Sequence, residues 1–388
     1  MPLHDGSVLI DFYPATIGSR FVDIRIISAS SGPTAVRLAQ GREYRAAGGL
    51  HHENHFFFKC SIPDLEPDSR YSAHLLQNNK RQAEVSFTTL REPQSKKICS
   101  FGIMPDLHIS SQTVNRIDSG KRLYGKALEL ARTYTEKIEQ AGADFIVFPG
   151  DTLDPADREG IRLFSSIKND CAIPFYVIIG NHEGWGGDEA AFNRLFCGSP
   201  EGWYAFSKGN ARFVMLSTPH QASLANGTQQ HEWLKNELDE HGREKNVFLF
   251  LHFSFVLHPC VQGRKNDGMQ QLANHRELLT LLRRYPGVKA VFAGHKNVPS
   301  LVTADGIAHF LSPQLIQAPC GYDIVTLYEN GLIKNSHEID EQHYVWQSRR
   351  AFGNGWQERF GTPESRNLTL CFDRVRVQTP VDGGSDTE

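Results

Sequence analysis

The sequence lacks the features that announce a membrane, an export route or a disulfide scaffold. No stretch approaches the roughly 20 apolar residues needed to cross a bilayer. Met1 to Arg20 has no basic start followed by an apolar core, so no secretory leader is expected. The seven cysteines (Cys60, Cys99, Cys171, Cys197, Cys260, Cys320 and Cys371) are odd in number, dispersed and free of any CxxC pair. That pattern favours reduced thiols in a cytoplasmic protein. Cys99 and Cys171 lie in or beside apolar runs and are expected to be packed. An excess of basic charge is also missing: 41 Lys and Arg against 44 Asp and Glu leave a net charge of −3. A generally basic nucleic-acid surface is thereby disfavoured, and no aromatic-basic stretch replaces it. There is no internal repeat and no G-x-S-x-G nucleophile motif.

What is present is a soluble globular composition, 40% apolar and 22% charged, on a chain of 388 residues, longer than one typical domain. Residues 1–91 read as short alternating segments such as RFVDIRIIS, HFFFKCSI and AEVSFTTL, separated by turns such as SSGP and AAGG. This is the pattern of a small antiparallel β-sandwich. His51, His52 and His55 are read as a solvated loop running into a strand rather than as a metal site. Residues 92–97, polar and containing Pro93, form a linker.

From residue 98 the pattern changes. KICSFGIMPD, ADFIVFPGD, IPFYVIIGNHE, RFVMLST, NVFLFLHFS and VKAVFAGHK are near-continuous apolar runs, as in strands buried on both faces. Helical patterns lie between them, over 121–140 with Leu128, Ala131 and Ile138 inward, and over 159–168, 189–196, 231–240 and 274–285. The alternation predicts an α/β fold, and the hairpin signals Asp305-Gly306 and Asn330-Gly331 imply a mixed sheet. The main domain is expected over 98–342. Residues 343–378, with Trp346, Trp356 and Phe360, are expected to pack on the body, and 379–388 (TPVDGGSDTE) to form a disordered tail.

Five apolar runs end in potential metal ligands: Asp106-Leu107-His108, Gly150-Asp151-Thr152-Leu153-Asp154, Gly180-Asn181-His182-Glu183, the lone His252, and Gly294-His295-Lys296-Asn297. In an extended chain residues i and i+2 project to the same side, so Asp106 could share a cation with His108, and His295 with Asn297. Carboxylate, imidazole and amide oxygen suit Mn, Fe, Zn or Mg. Asp151 could bridge two ions about 3.5–4 Å apart, the clamp of phosphate-ester hydrolases. Each block alone reads as an ordinary polar strand exit, and His252 alone as a satisfied core histidine. Their placement at successive strand ends, where open α/β sheets hold ligands, turns them into one site.

Taken in order, the five blocks resemble the calcineurin-like metallophosphoesterases. The resemblance implies two facing mixed β-sheets flanked by helices, and metal-dependent hydrolysis of a small phosphodiester or phosphomonoester by a metal-bound hydroxide attacking phosphorus in line. It implies that Asp106 and His108 bind the first of two divalent ions, that Asp151 bridges both, and that Asn181, His252 and His295 bind the second. His182 would be the general acid and not a ligand, oriented by Asp154, whose local alternative is a helix N-cap before Pro155. The family usually closes with Gly-His-x-His. Here Asn297 stands in place of a histidine ligand of the first ion, so that site should be weakened or shifted in preference toward Mn or Mg. Gln230 to Leu234 resembles a helix start common in the family, with Trp233 and Leu234 packing. His258, Cys260, Arg264 and Lys265 fall where substrate loops, or merely exposed loop residues, would lie.

Nearer the N-terminus, Leu65 to Tyr71 followed by Ser86-Phe87-Thr88-Thr89 resembles fibronectin type III domains, in which the Leu and Tyr anchor a corner between strands. Such a domain could cover the cleft, bind a partner or mediate a homo-oligomer. Two other readings compete: a catalytically weak binding member of the same fold, favoured by Asn297 alone, and a nuclease. Retention of His182, Asp154 and every second-ion ligand argues against the first, and the charge balance against the second.

Overall fold

The computed structural model of the chain describes residues 9–110, 120–185, 187–259, 271–373 and 376–378. The alternating N-terminal segments form two four-stranded antiparallel sheets. One has the order Leu9–Ile17, Val22–Ser28, His55–Ile62, Ala47–His52, and the other Glu43–Arg45, Thr34–Leu38, Arg70–Gln77, Lys80–Thr88. Ile24, Val36, Cys60, Ala73 and Leu75, drawn from both sheets, are fully buried in one shared core. Tyr71 reaches back so that its hydroxyl accepts the Glu66 N–H at 2.9 Å, and Leu65 packs into the same core. His51 and His52 lie in a strand, not in a loop, because the hairpin turns at Glu53-Asn54, both left-handed. His55 packs on Trp346 with ring centroids 4.8 Å apart.

Beyond residue 97 two mixed sheets face each other. The first has the order Phe175–Ile178, Phe145–Pro149, Lys97–Ile103, Gly321–Tyr328, Gly331–Glu338, Asn367–Cys371, Arg376–Gln378. The second has the order Tyr204–Lys208, Ala211–Met215, Asn246–Leu251, Val288–Ala293, Ile307–Leu311, Ser300–Ala304. A phenylalanine layer fills the space between them, with stacked pairs Phe101–Phe145 at 5.0 Å, Phe250–Phe292 at 5.1 Å and Phe292–Phe310 at 5.0 Å. Helices Ala127–Gln140 and Arg158–Asp170 cover the outer face of the first sheet, and Gln229–His241 and His275–Leu282 that of the second. Coverage on both faces is why the central strands read as unbroken apolar runs.

Local signals were met with small shifts. The helix expected from residue 121 begins at Ala127, after a 3-10 turn at Tyr124–Lys126, and buries Leu130 and Tyr134 in preference to Leu128. Asp305-Gly306 closes a hairpin as expected. The second hairpin instead turns at Glu329-Asn330, since Gly331 already pairs with Tyr328. The C-terminal extension is an integral part of the body, because Asn367–Cys371 is a strand of the seven-stranded sheet beside Gly331–Glu338.

The N-terminal sandwich rests on this same region through buried polar contacts. Arg25 donates to the carbonyls of Glu338 and Ile339 at 3.0 and 3.1 Å, Asn335 Nδ2 to Ile17 O at 2.7 Å, and Tyr13 to Glu338 Oε2 at 3.0 Å. Bonds to charged or buried groups of this kind fix orientation, because each would be costly to leave unmade. Six cysteines are free thiols, Cys99 buried and Cys171 only partly so; Cys260 lies outside the described residues. No helix among the described residues is long and apolar enough to cross a membrane.

Candidate metal centre

Three parallel strands of the first sheet (Lys97–Ile103, Phe145–Pro149, Phe175–Ile178) and two of the second (Asn246–Leu251, Val288–Ala293) bring their carboxyl ends to one place. The segments that follow carry Asp106, His108, Asp151, Asp154, His252, His295 and Asn297 on loops, and Asn181 and His182 on the one-turn helix Asn181–Gly184. Blocks remote in sequence touch there. The His295 N–H donates to Asp106 Oδ2 at 2.9 Å, and His252 Nε2 lies 3.1 Å from both Asp151 Oδ2 and Asn181 Oδ1. Two groups emerge, His108 with Asp151 and His182, and Asp151 with His252 and His295, each with its donor atoms within 4.8 Å of one another. Asp151 belongs to both groups. Asp154 Oδ2 stands 2.9 Å from His182 Nδ1 and 3.4 Å from His108 Nδ1. Asn297 is buried, and its Nδ2 donates to His295 O at 3.4 Å.

The backbone at Asp106, His108, His295 and Asn297 is not the extended alternation expected from their i, i+2 spacing. These four residues and Asp151 all have left-handed φ, between 48° and 70°. For residues other than glycine that conformation costs on the order of 1 kcal/mol or more each, and it clusters at functional sites. Two glycines make the close approach feasible. A Cβ on Gly150, itself at φ 84°, would meet His252 Nδ1 at 2.6 Å, and one on Gly180 would meet Asp151 Oδ1 at 2.4 Å. Only Gly150 needs its conformational freedom; Gly180 is required for space.

The buried carboxylates of the centre are shifted in opposite directions. Burial pushes Asp106 up to about 7, with Asp151 adding repulsion. Burial opposes the charge on Asp151 too, but His252, His108 and His182 outweigh it and hold that carboxyl well below the usual carboxylate range. Burial also drives His108 down to about 4, keeping it neutral. Burial disfavours protonated His252, yet Asp151 raises it to about 9. Two observations fit the set to cations. His252 Nδ1 faces the Pro149 carbonyl at 2.9 Å, which can only accept, so Nδ1 carries a proton and Nε2 points its lone pair or second proton at Asp151. His108 Nε2 is buried and makes no hydrogen bond among the described residues. An oxygen and imidazole donor set suits divalent first-row metals or Mg.

The family model described as calcineurin-like phosphoesterase matches residues 100–299, just over half of the chain and including every candidate ligand and Asp154 and His182. The chain belongs to the calcineurin-like phosphoesterase family. It is thereby a phosphoric ester hydrolase of the metallophosphoesterase type. A probable glycerophosphodiester phosphodiesterase from Arcobacter nitrofigilis is 28% identical over 207 residues, 49% of this chain and 68% of that protein. A probable cyclic nucleotide phosphodiesterase from Fibrobacter succinogenes is 24% identical over 229 residues, 58% of this chain and 82% of that protein. Among solved structures, a dimetal phosphatase from Danio rerio matches with a TM-score of 0.50 at 19% identity, covering 62% of this chain and 96% of that one. It shares the fold.

In this phosphoesterase two alternative readings of the sequence fall away. Asp154 is not a helix cap: Asp157 caps Arg158–Asp170, its carboxylate accepting the Gly160 N–H at 2.7 Å. His258 is not exposed, being buried with its Nδ1 2.9 Å from Ser300 Oγ. Cys260, Arg264 and Lys265 lie outside the described residues. Trp233 and Leu234, on helix Gln229–His241, pack toward the core between the second sheet and its helices, as expected.

Three supporting residues escaped the sequence reading. Glu183 is fully buried and accepts the N–H groups of Asp151, Leu153 and Gly180 at 2.9–3.0 Å, tying two ligand loops together. Its place in the Gly-Asn-His-Glu block was the one available signal. Arg359, from the C-terminal extension, donates to the carbonyls of Lys296 and Asn297 at 3.3 and 3.4 Å. Arg122 is anchored by Gln317 and Tyr124 at 3.1 and 3.0 Å, and its charge acts on Asp106, His108 and His182.

Proposed function

We propose that this phosphoesterase hydrolyses a small phosphate diester with two divalent ions. The observation that carries the reading is Asp151, one buried carboxylate shared by two clusters of donors. Asp106, His108 and Asp151, with Asn297, would hold one ion; Asp151, Asn181, His252 and His295 would hold the other. Such a pair supplies Lewis-acid charge at phosphoryl oxygens and lowers the pKa of water. The protein residues do the rest. His182 gives a proton to the leaving oxygen, and Asp154, 2.9 Å from its Nδ1, holds the ring in place and favours the protonated form. Arg122 adds a fixed positive charge beside the centre for an anionic substrate. Asn297 in place of imidazole makes the first ion the weaker one. The diester preference rests on the two curated relatives, both named as phosphodiesterases.

We read residues 1–91 as fibronectin type III-like, on the strength of the Tyr71–Glu66 corner, with 98–342 as the catalytic domain. The free thiols support a reducing, cytoplasmic setting. The test is turnover of bis-p-nitrophenyl phosphate and of p-nitrophenyl phosphate by protein reconstituted with Mn²⁺, Zn²⁺ or Mg²⁺. Faster turnover of the diester supports the reading, and no turnover with any ion refutes it.

A further inference from the structure

We propose that a second ligand site, for a small aromatic carboxylate, lies between the N-terminal sandwich and the C-terminal extension. A cavity of about 470 Å³ opens there, and no residue of the metal centre lines it. Its size falls within the range of small-molecule sites, which favour domain boundaries. Tyr13, Phe87, Trp356 and Phe360 give it aromatic walls, and Arg70, Arg349 and Arg366 give it positive charge.

Two of those arginines are already balanced. Arg349 pairs with Asp11 at 2.7 Å while its guanidinium carbon lies 3.4 Å from the centre of the Trp356 ring. Arg366 pairs with Glu338 at 2.6 Å and donates to Ala15 O at 2.8 Å. Its Nε, on a side chain more than nine-tenths buried, still has no hydrogen-bond partner among the described residues. Arg70 is exposed, and its guanidinium makes no ion pair or hydrogen bond among the described residues. One uncompensated cation and one unsatisfied buried donor, set among aromatic faces, suit a flat apolar ring bearing a single negative charge. A void left by imperfect domain packing would need neither.

The probe is 2-naphthoate, titrated calorimetrically into the full metal-loaded chain, with neutral 2-naphthamide as its isostere. One saturable site is expected, with 2-naphthamide bound roughly tenfold more weakly. Arg70→Glu should weaken 2-naphthoate binding by about the same factor. Ser86→Trp, at an exposed strand position on the cavity wall, should abolish it. Both variants should keep wild-type thermal unfolding and diesterase activity, since neither residue belongs to the metal centre. Absence of saturable binding, equal affinity for the amide, or binding that survives Ser86→Trp would overturn the proposal; the last would place the naphthoate elsewhere, the metal ions included.

Discussion

Replacing Glu183 with Gln tests whether one buried carboxylate organises the ligand loops. Its Oε2 accepts from Asp151 N at 3.0 Å and Gly180 N at 2.9 Å, and its Oε1 accepts from Leu153 N at 2.9 Å. An amide keeps one acceptor oxygen and turns the other into an NH₂ that must face a backbone N–H. With the oxygen in the Oε2 position one bond is lost, and in the other orientation two are lost. A hydrogen bond to a charged acceptor contributes about 1.5–3 kcal/mol. Part of that loss is offset, because burial and the charge of Asp151 push Glu183 up to about 7 and the amide carries no charge. The net expectation is a loss of about 1–3 kcal/mol. Loosening the loops that carry Asp151 and Asn181 should also lower metal affinity by about 10–100-fold, as outer-shell substitutions do. Urea unfolding and calorimetric Mn²⁺ titration of stripped protein measure the two effects. Unchanged stability together with unchanged affinity would refute the organising role.

Three further outcomes are expected. His182→Ala should keep its metal ions and lose about 10²–10⁴-fold in turnover; loss of metal instead would make His182 a ligand, as its place in the first donor cluster allows. Asn297→His should raise the affinity of the weaker ion, read as a tighter second transition in a Zn²⁺ titration, and unchanged affinity would remove Asn297 from the ligand set. Burial drives His258 down to about 3, so the folded state resists its protonation while the unfolded chain takes up the proton near 6.5. Stability is therefore lost as pH falls from about 6.5 toward 3. Between pH 7 and 5 one such histidine accounts for about 2 kcal/mol. His258→Gln should lose that much less over the same interval in urea unfolding, and an identical pH slope in both proteins would contradict the burial effect.

Much of the fold was legible because its physics is local. Unbroken apolar runs marked strands covered on both faces, and short alternating segments marked the antiparallel strands of the N-terminal sheets. The five blocks were legible because each sits at a strand end, and the fold brings them together. What could not be read depends on long-range packing. Left-handed backbone at Asp106, His108, Asp151, His295 and Asn297 is imposed by the assembled loops, since none of these residues prefers it as glycine would. Arg359 supports the Lys296–Asn297 carbonyls from the far end of the chain, which no periodicity foretells. The cap at Asp157 rather than Asp154 is a shift of three residues, within the ordinary ambiguity of adjacent acidic candidates. His258 falls in sequence where a substrate loop or an exposed loop would lie, yet it turns inward onto Ser300.

The shared carboxylate of Asp151 is the centre of the proposed chemistry, and metal stoichiometry addresses it most directly. Inductively coupled plasma mass spectrometry on Mn²⁺-reconstituted protein, after removal of free ion, should find two ions per chain in the wild type. Asp151→Asn should retain at most one weakly held ion and no diesterase activity. Two ions and full activity in that variant, or a wild type that never binds more than one, would contradict a bridged pair.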